Sequence, residues 1–231
     1  VAKSLVLLKN DHQTLPIAKD SKLIFLAGEA ADTIGTQCGG WTLEWQGAVS
    51  IKTTGTTIKD ALLNASPDAV QFNREGKFDN LTDANGKVLI ADVGIVVLGE
   101  VPYAEGLGDR AQLSLSQQDS DLIQRVRAQS QAVVVLLLSG RPLVISEQLG
   151  LADAWVAAWL PGTEGAGIAD VLFGDVPFSG KTAYSWPLND AQLPINKNMQ
   201  LPADVCSQPL FPFGYGLTAA DRLSVQVPNC P

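Results

Sequence analysis

The amino-acid sequence predicts an α/β fold, a mostly parallel sheet sandwiched by helices, and three observations carry that expectation. Apolar residues make up 46% of the 231 and charged residues only 17%, which favours a sheet buried on both faces over disorder. The strand candidates are continuous aliphatic and β-branched runs, without the alternation of a half-solvated sheet. Strands and helices also follow one another in turn along the chain, as parallel strands require.

The elements follow in order. Residues 1–20 are a lead-in, with Leu5, Leu7 and Leu8 apolar and Leu15-Pro16 closing it. KLIFLAG (22–28) is a short apolar run ending in glycine, hence a buried strand. Residues 35–47 are a loop rich in glycine and tryptophan. Residues 56–64 fit a short helix, because Ile58, Ala61 and Leu62 share one face. A second strand covers 69–72, and 73–87 is polar and turn-rich. DVGIVVLG (92–99) is the clearest buried strand and runs straight into a Gly-, Pro- and charge-rich loop, 100–110. Residues 116–129 form a helix with Ser116 as N-cap and Asp119 at the capping-box position. A strand at 132–138 leads through the turn Ser139-Gly-Arg-Pro142 into a short helix, 143–149. A strand at 154–159, a helix at 163–173 stopped by Gly174, and a last strand at 181–186 complete the set. The simplest organisation is a single domain over 1–231: lead-in 1–20, core about 21–186, irregular tail 187–231.

The chain carries a net charge of −8 and no Lys/Arg cluster, which argues against nucleic acid as a partner. Its longest apolar run, 132–138, is far below the roughly 20 residues that span a bilayer, so no membrane partner is expected. No signal peptide is visible. The first segment already reads as interior sequence, and the expectation is a fragment or mature product whose upstream part is missing. With one histidine, His12, and no metal-ligand spacing, no metal or other cofactor is expected. Cys206 and Cys230 are disulfide candidates that would leave Cys38 free and imply an oxidising compartment; the alternative is three unpaired thiols.

Open α/β sheets place function in loops beyond the carboxyl ends of their strands. Two loops stand out. The first, GEVPYAEGLGDR (99–110), brings Glu100, Glu105 and Asp109 to the end of a buried strand. A carboxyl group at the mouth of an apolar sheet can have its pKa raised by desolvation, as a general acid needs. The bland alternative is an acidic surface loop. The second, GGWTLEWQG (39–47), sets Trp41 and Trp45 among glycines. Flat aromatic faces suit the C–H surfaces of sugar rings, and Glu44 and Gln46 can bond hydroxyls; otherwise both rings are core filler. PGTEGAG (161–167) lacks the ending of a phosphate loop, and DNLTDANG (79–86) reads better as a hairpin turn than as a calcium loop. Asn64 and Asn80 head acceptor sequons, and His12 reads as a solvated side chain.

These two loops, in this order, resemble glycoside hydrolase family 3, in its exo-acting β-glucan glucohydrolase and β-glucosidase branch. The likeness runs through SLVLLKND (4–11), CGGWTLEWQG (38–47), VVLGEVPYAEGLGD (96–109), SGRPLV (139–144), PGTEGAGIADVLFGD (161–175) and FPFGYGL (211–217). The resemblance implies the (α/β)6-sandwich second domain of a retaining glycosidase, whose aspartate nucleophile lies on an N-terminal barrel domain absent from these residues. It implies a general acid/base at Glu105, with Glu100 as rival, and an aromatic platform for the +1 sugar at Trp41 and Trp45 beside Glu44. Its substrate would be a β-linked gluco-oligosaccharide or β-glucan, its partner the barrel domain of the same enzyme, and its location periplasmic or extracellular. This chain alone would be inactive. The alternatives are a non-catalytic carbohydrate-binding module using the same tryptophans and, more weakly, a flavodoxin-like regulatory domain.

Overall fold

In the computed structural model, which describes residues 1–196 and 199–230, six strands form one sheet. They are β1 (Val6–Asn10), β2 (Ile24–Ala27), β3 (Val70–Asn73), β4 (Ala91–Gly99), β5 (Ser130–Leu138) and β6 (Ala154–Trp159), in the order β1-β6-β5-β4-β2-β3. Strands β2 to β6 are parallel, and β1 lies antiparallel on the edge beside β6. Four helices, α1 (Ile34–Cys38), α2 (Ile58–Ala65), α3 (Gln117–Arg127) and α4 (Ala166–Leu172), complete the sandwich. Lys197, Asn198 and Pro231 of the expected tail lie outside the described residues.

Burial on both faces explains the continuous apolar runs. Ile24, Ile95, Leu136 and Val156 face one core with Ile58 and Leu62 of α2 and Ile168 and Leu172 of α4. Their chain neighbours Phe25, Val96, Leu137 and Trp155 face the other, with Ile123 and Val126 of α3, Trp186 and Phe211. Since successive strand residues point to opposite faces, each position needs an apolar side chain. Helix α3 starts at a complete capping box: the Ser116 hydroxyl accepts from the Asp119 amide, and the Asp119 carboxylate accepts from the Ser116 amide at 2.9 Å.

Four local expectations are corrected. The lead-in contains β1, whose apolar run is interrupted by Lys9 and Asn10. Both are buried all the same, because the Lys9 ammonium donates to the carbonyls of Leu149 and Ala152 and pairs with Asp11 at 3.1 Å, and the Asn10 amide group bonds both ways with the Leu15 backbone. The start of the expected 35–47 loop is instead helix α1. The expected helix 143–149 is absent: the Val144 amide donates to the Leu113 carbonyl at 2.9 Å in an extended bridge, and only Leu149–Leu151 forms a 3-10 turn. The expected strand 181–186 does not join the sheet. Thr182 and Trp186 pair instead with Tyr215 and Phe211 of the tail, and the Trp186 indole donates to the Leu143 carbonyl. Cys206 and Cys230 form a disulfide across this tail, with Cα atoms 5.7 Å apart, and Cys38 is a free thiol whose pKa burial raises.

Candidate functional site

The sheet register brings the key loops together. Gly99 at the end of β4 pairs with Leu138 at the end of β5, so residues 100–110 and the Ser139–Arg141 turn leave the sheet side by side. The Glu100 amide still donates to the Leu138 carbonyl at 3.0 Å, as the last rung of that ladder.

Glu100 turns inward. Its side chain is only 7% exposed, and it is surrounded by Arg141 Nε and Nη2, both at 3.1 Å from Oε1, Arg110 Nη1 at 3.3 Å and the Tyr103 hydroxyl at 3.0 Å from Oε2. The Arg141 guanidinium lies over the Tyr103 ring, 4.1 Å from its centroid, and Nη1 donates to the Gly108 carbonyl at 2.7 Å. Burial, reinforced by the Glu100 charge, pushes the Tyr103 phenol up to about 12, so it serves as a donor to that carboxylate.

Glu105 points the other way. It opens the 3-10 turn Glu105–Gly108, is solvent-exposed, and its side chain makes no hydrogen bond or ion pair among the described residues. Its φ of 52° lies in the left-handed region, where a side chain other than glycine or asparagine is strained. Trp41 at 59° and Leu43 at 60° share that conformation in the tryptophan loop, as do His12, Gln13 and Trp159 elsewhere in the chain.

The tryptophan loop is a tight turn. The Trp41 amide donates to the Trp45 carbonyl at 2.9 Å, and Thr42 bridges Glu44. Trp41 and Trp45 are 69% and 52% exposed, with ring centroids 6.4 Å apart and planes inclined by 52°, so they are not core filler. The Glu44 side chain is exposed beside them. Gln46 turns back, and its Oε1 accepts the Ala104 amide at 2.8 Å. Gly40 packs so closely on the Tyr103 carbonyl that an added Cβ would stand 2.1 Å from it.

The residues are thus drawn into one surface at the carboxyl ends of the strands, but not all serve alike: Glu105, Trp41, Trp45 and Glu44 face solvent, whereas Glu100 is enclosed. Sequence reasoning missed the structural part of Arg141, Tyr103 and Gln46. The adjacency of β4 and β5 was the one available signal, since it places an SGR turn beside any loop following Gly99. A cleft of about 800 Å³ opens beside the site at the ends of β2 and β4. It shares Glu100 and Val101 with it, but holds neither Glu105 nor the tryptophans. Among the described residues no cluster of His, Cys, Asp or Glu is arranged to hold a metal ion, and no helix is long and apolar enough to cross a membrane.

Fold and site together define an α/β sandwich that presents a carboxylate turn beside an aromatic turn at the carboxyl ends of its strands. The chain belongs to the glycosyl hydrolase family 3 C-terminal domain family, whose model matches residues 5–219. It is 32% identical to the lysosomal beta glucosidase of Dictyostelium discoideum over 99% of this chain and 30% of that protein. It is 31% identical to the periplasmic beta-glucosidase of Salmonella typhimurium over 94% of this chain and 33% of that one. Among solved structures, the exo-1,3/1,4-beta-glucanase of a Pseudoalteromonas species superposes with a TM-score of 0.78 at 36% identity, covering 96% of this chain and 28% of that chain. A beta-glucosidase from Listeria innocua in complex with isofagomine gives 0.75 at 28%, covering 93% and 32%. The chain therefore spans about a third of the length of the curated relatives it matches.

Proposed function

We propose that this chain is a single domain, the second of a retaining, exo-acting β-glucosidase or β-glucan glucohydrolase. It supplies Glu105 as general acid/base and Trp41, Trp45 and Glu44 as the platform for the +1 sugar, while a barrel domain of the same enzyme supplies the nucleophile. The observation that carries this is the contrast between the two glutamates. The enclosed Glu100 has both oxygens engaged by Arg141, Tyr103 and Arg110, whereas Glu105, without a partner among the described residues, stands on a strained turn beside two exposed tryptophans. Strain retained at an exposed position points to function. The relatives act in the same sense: those named above are beta-glucosidases and an exo-1,3/1,4-beta-glucanase.

In this reading Glu105 protonates the departing glycosidic oxygen while the nucleophile attacks the anomeric carbon. It then takes a proton from the water that releases the covalent glycosyl-enzyme. Retention requires the two carboxyl groups about 5–5.5 Å apart, so docking of the two domains is a condition of activity. The substrate is a β-linked gluco-oligosaccharide or β-glucan. The tail disulfide and the periplasmic relative support a periplasmic or extracellular location and a part in polysaccharide degradation.

The test is substitution of Glu105 in the enzyme comprising both domains. Glu105→Gln should lower turnover of laminari- and cello-oligosaccharides by about 10²–10⁴-fold. Glu105→Ala should be rescued by azide on an aryl β-glucoside with a good leaving group. Unchanged turnover in both variants would overturn the acid/base role and leave the tryptophans as a carbohydrate-binding platform.

A further inference from the structure

We propose that Glu100 is the positioning residue for Glu105, acting through a half-buried clamp with Arg141 and Tyr103; this rests on the acid/base reading of Glu105. The Glu105 side chain has no partner among the described residues, so only its flanks hold it. On one side the Ala104 amide is tied to Gln46. On the other, the Gly108 carbonyl receives Arg141 Nη1, and Gly108 lies so close to the Tyr103 ring that a Cβ there would approach it to 2.3 Å. Arg141 and Tyr103 are in turn oriented by Glu100, which accepts from both.

The chain of contacts therefore runs from the last rung of the β4–β5 ladder, through the Glu100 carboxylate, Arg141 and Tyr103, to the Gly108 end of the turn that begins at Glu105. Without the carboxylate, the Arg141 guanidinium loses the partner that fixes its fork, and its grip on Gly108 loosens. A buried ion pair is weak evidence for stability, but it can specify one geometry among several. Geometry is what a proton donor needs, since a displacement of about 1 Å can cost roughly 100-fold in rate.

The test compares two substrates in the two-domain enzyme: a gluco-oligosaccharide, whose departure needs protonation, and a dinitrophenyl β-glucoside, whose departure needs little. Glu100→Gln should lower kcat on the oligosaccharide by about 100-fold with KM little changed, and by less than about tenfold on the dinitrophenyl glucoside. The double variant Glu100→Gln/Arg141→Gln, which leaves no unpaired buried charge, should recover melting temperature without recovering oligosaccharide turnover. Equal losses on both substrates, or activity returning with stability in the double variant, would show a merely structural role and overturn the proposal. Glu105→Gln runs in parallel. If it loses oligosaccharide turnover while Glu100→Gln does not, the clamp fails alone. If azide rescues Glu100→Ala and not Glu105→Ala, the roles are reversed and both readings fall. If Glu105→Gln keeps full turnover, the functional reading fails, and amide exchange decides the clamp: residues 104–109 should exchange faster in Glu100→Gln of this chain, and unchanged exchange would reject it.

Discussion

The side-chain oxygen of Gln46 accepts the backbone amide of Ala104 at 2.8 Å, joining the tryptophan turn to the residue before Glu105. The two segments are 58 residues apart in the chain, and this bond fixes their spacing at the candidate site. It also satisfies a buried amide that the sheet ladder does not reach. Replacing Gln46 with Ala should therefore cost about 1 kcal/mol or more, because the Ala104 donor is left unsatisfied. Urea unfolding of this chain measures it, and a change below about 0.3 kcal/mol would mean that the amide finds another partner.

The close approach of Gly40 to the Tyr103 carbonyl predicts a graded glycine series. At Gly40 a Cβ would stand 2.1 Å from that oxygen, so Gly40→Ala should destabilise by roughly 1–3 kcal/mol as the loops are forced apart. At Gly106 a Cβ meets nothing within 4 Å, and Gly106→Ala should fall within about 0.5 kcal/mol of the parent. Thermal unfolding of both variants checks the contrast, which fails if the two shifts are equal.

Tyr103 predicts an alkaline signature. Its pKa is pushed from 10 up to about 12, so between those values the folded chain holds a proton that the unfolded chain has lost. The stability linked to this phenol is thus complete below about pH 10 and declines as pH rises toward 12. Titration at 295 nm should show a tyrosinate step near pH 12 to which Tyr103 and the equally raised Tyr215 both contribute, and the Tyr103 share is the step that disappears in Tyr103→Phe. If the step that disappears lies near pH 10 instead, burial of the phenol against Glu100 is contradicted.

If the two carboxyl groups are divided between domains as proposed, this chain alone should not hydrolyse an aryl β-glucoside, and activity should appear with the barrel domain. Substantial turnover by the pure chain would refute the divided site. In the two-domain enzyme, Trp45→Ala should raise KM for oligosaccharides by about tenfold, the equivalent of one lost aromatic contact of roughly 1.4 kcal/mol. An unchanged KM would remove Trp45 from the platform.

The parts of the fold legible in the sequence are those set by local rules. The runs in β4 and β5 show burial on both faces, and Ser116 with Asp119 marks the start of α3, because strand burial and helix capping act over a few residues. Strand β1 was hidden because Lys9 and Asn10 break its apolar run, and the burial of Lys9 depends on the carbonyls of Leu149 and Ala152, far away in the chain. Residues 181–186 look like a sheet strand, yet their backbone partners are the tail residues Phe211 and Tyr215, a choice that no local pattern encodes.

The same division holds at the site. By itself the sequence determined the two loops, their residue types and their place after Gly28 and Gly99, since motif spacing is a property of the chain. It left Glu100 and Glu105 as rivals within one loop. Only the tertiary structure decided which of them is enclosed. Pairing of β4 with β5 sets Arg141 beside Glu100, so the donors of Arg141, Arg110 and Tyr103 hold that carboxylate inward. Glu105 opens the 3-10 turn that follows, with its backbone in the left-handed region and its carboxylate in solvent.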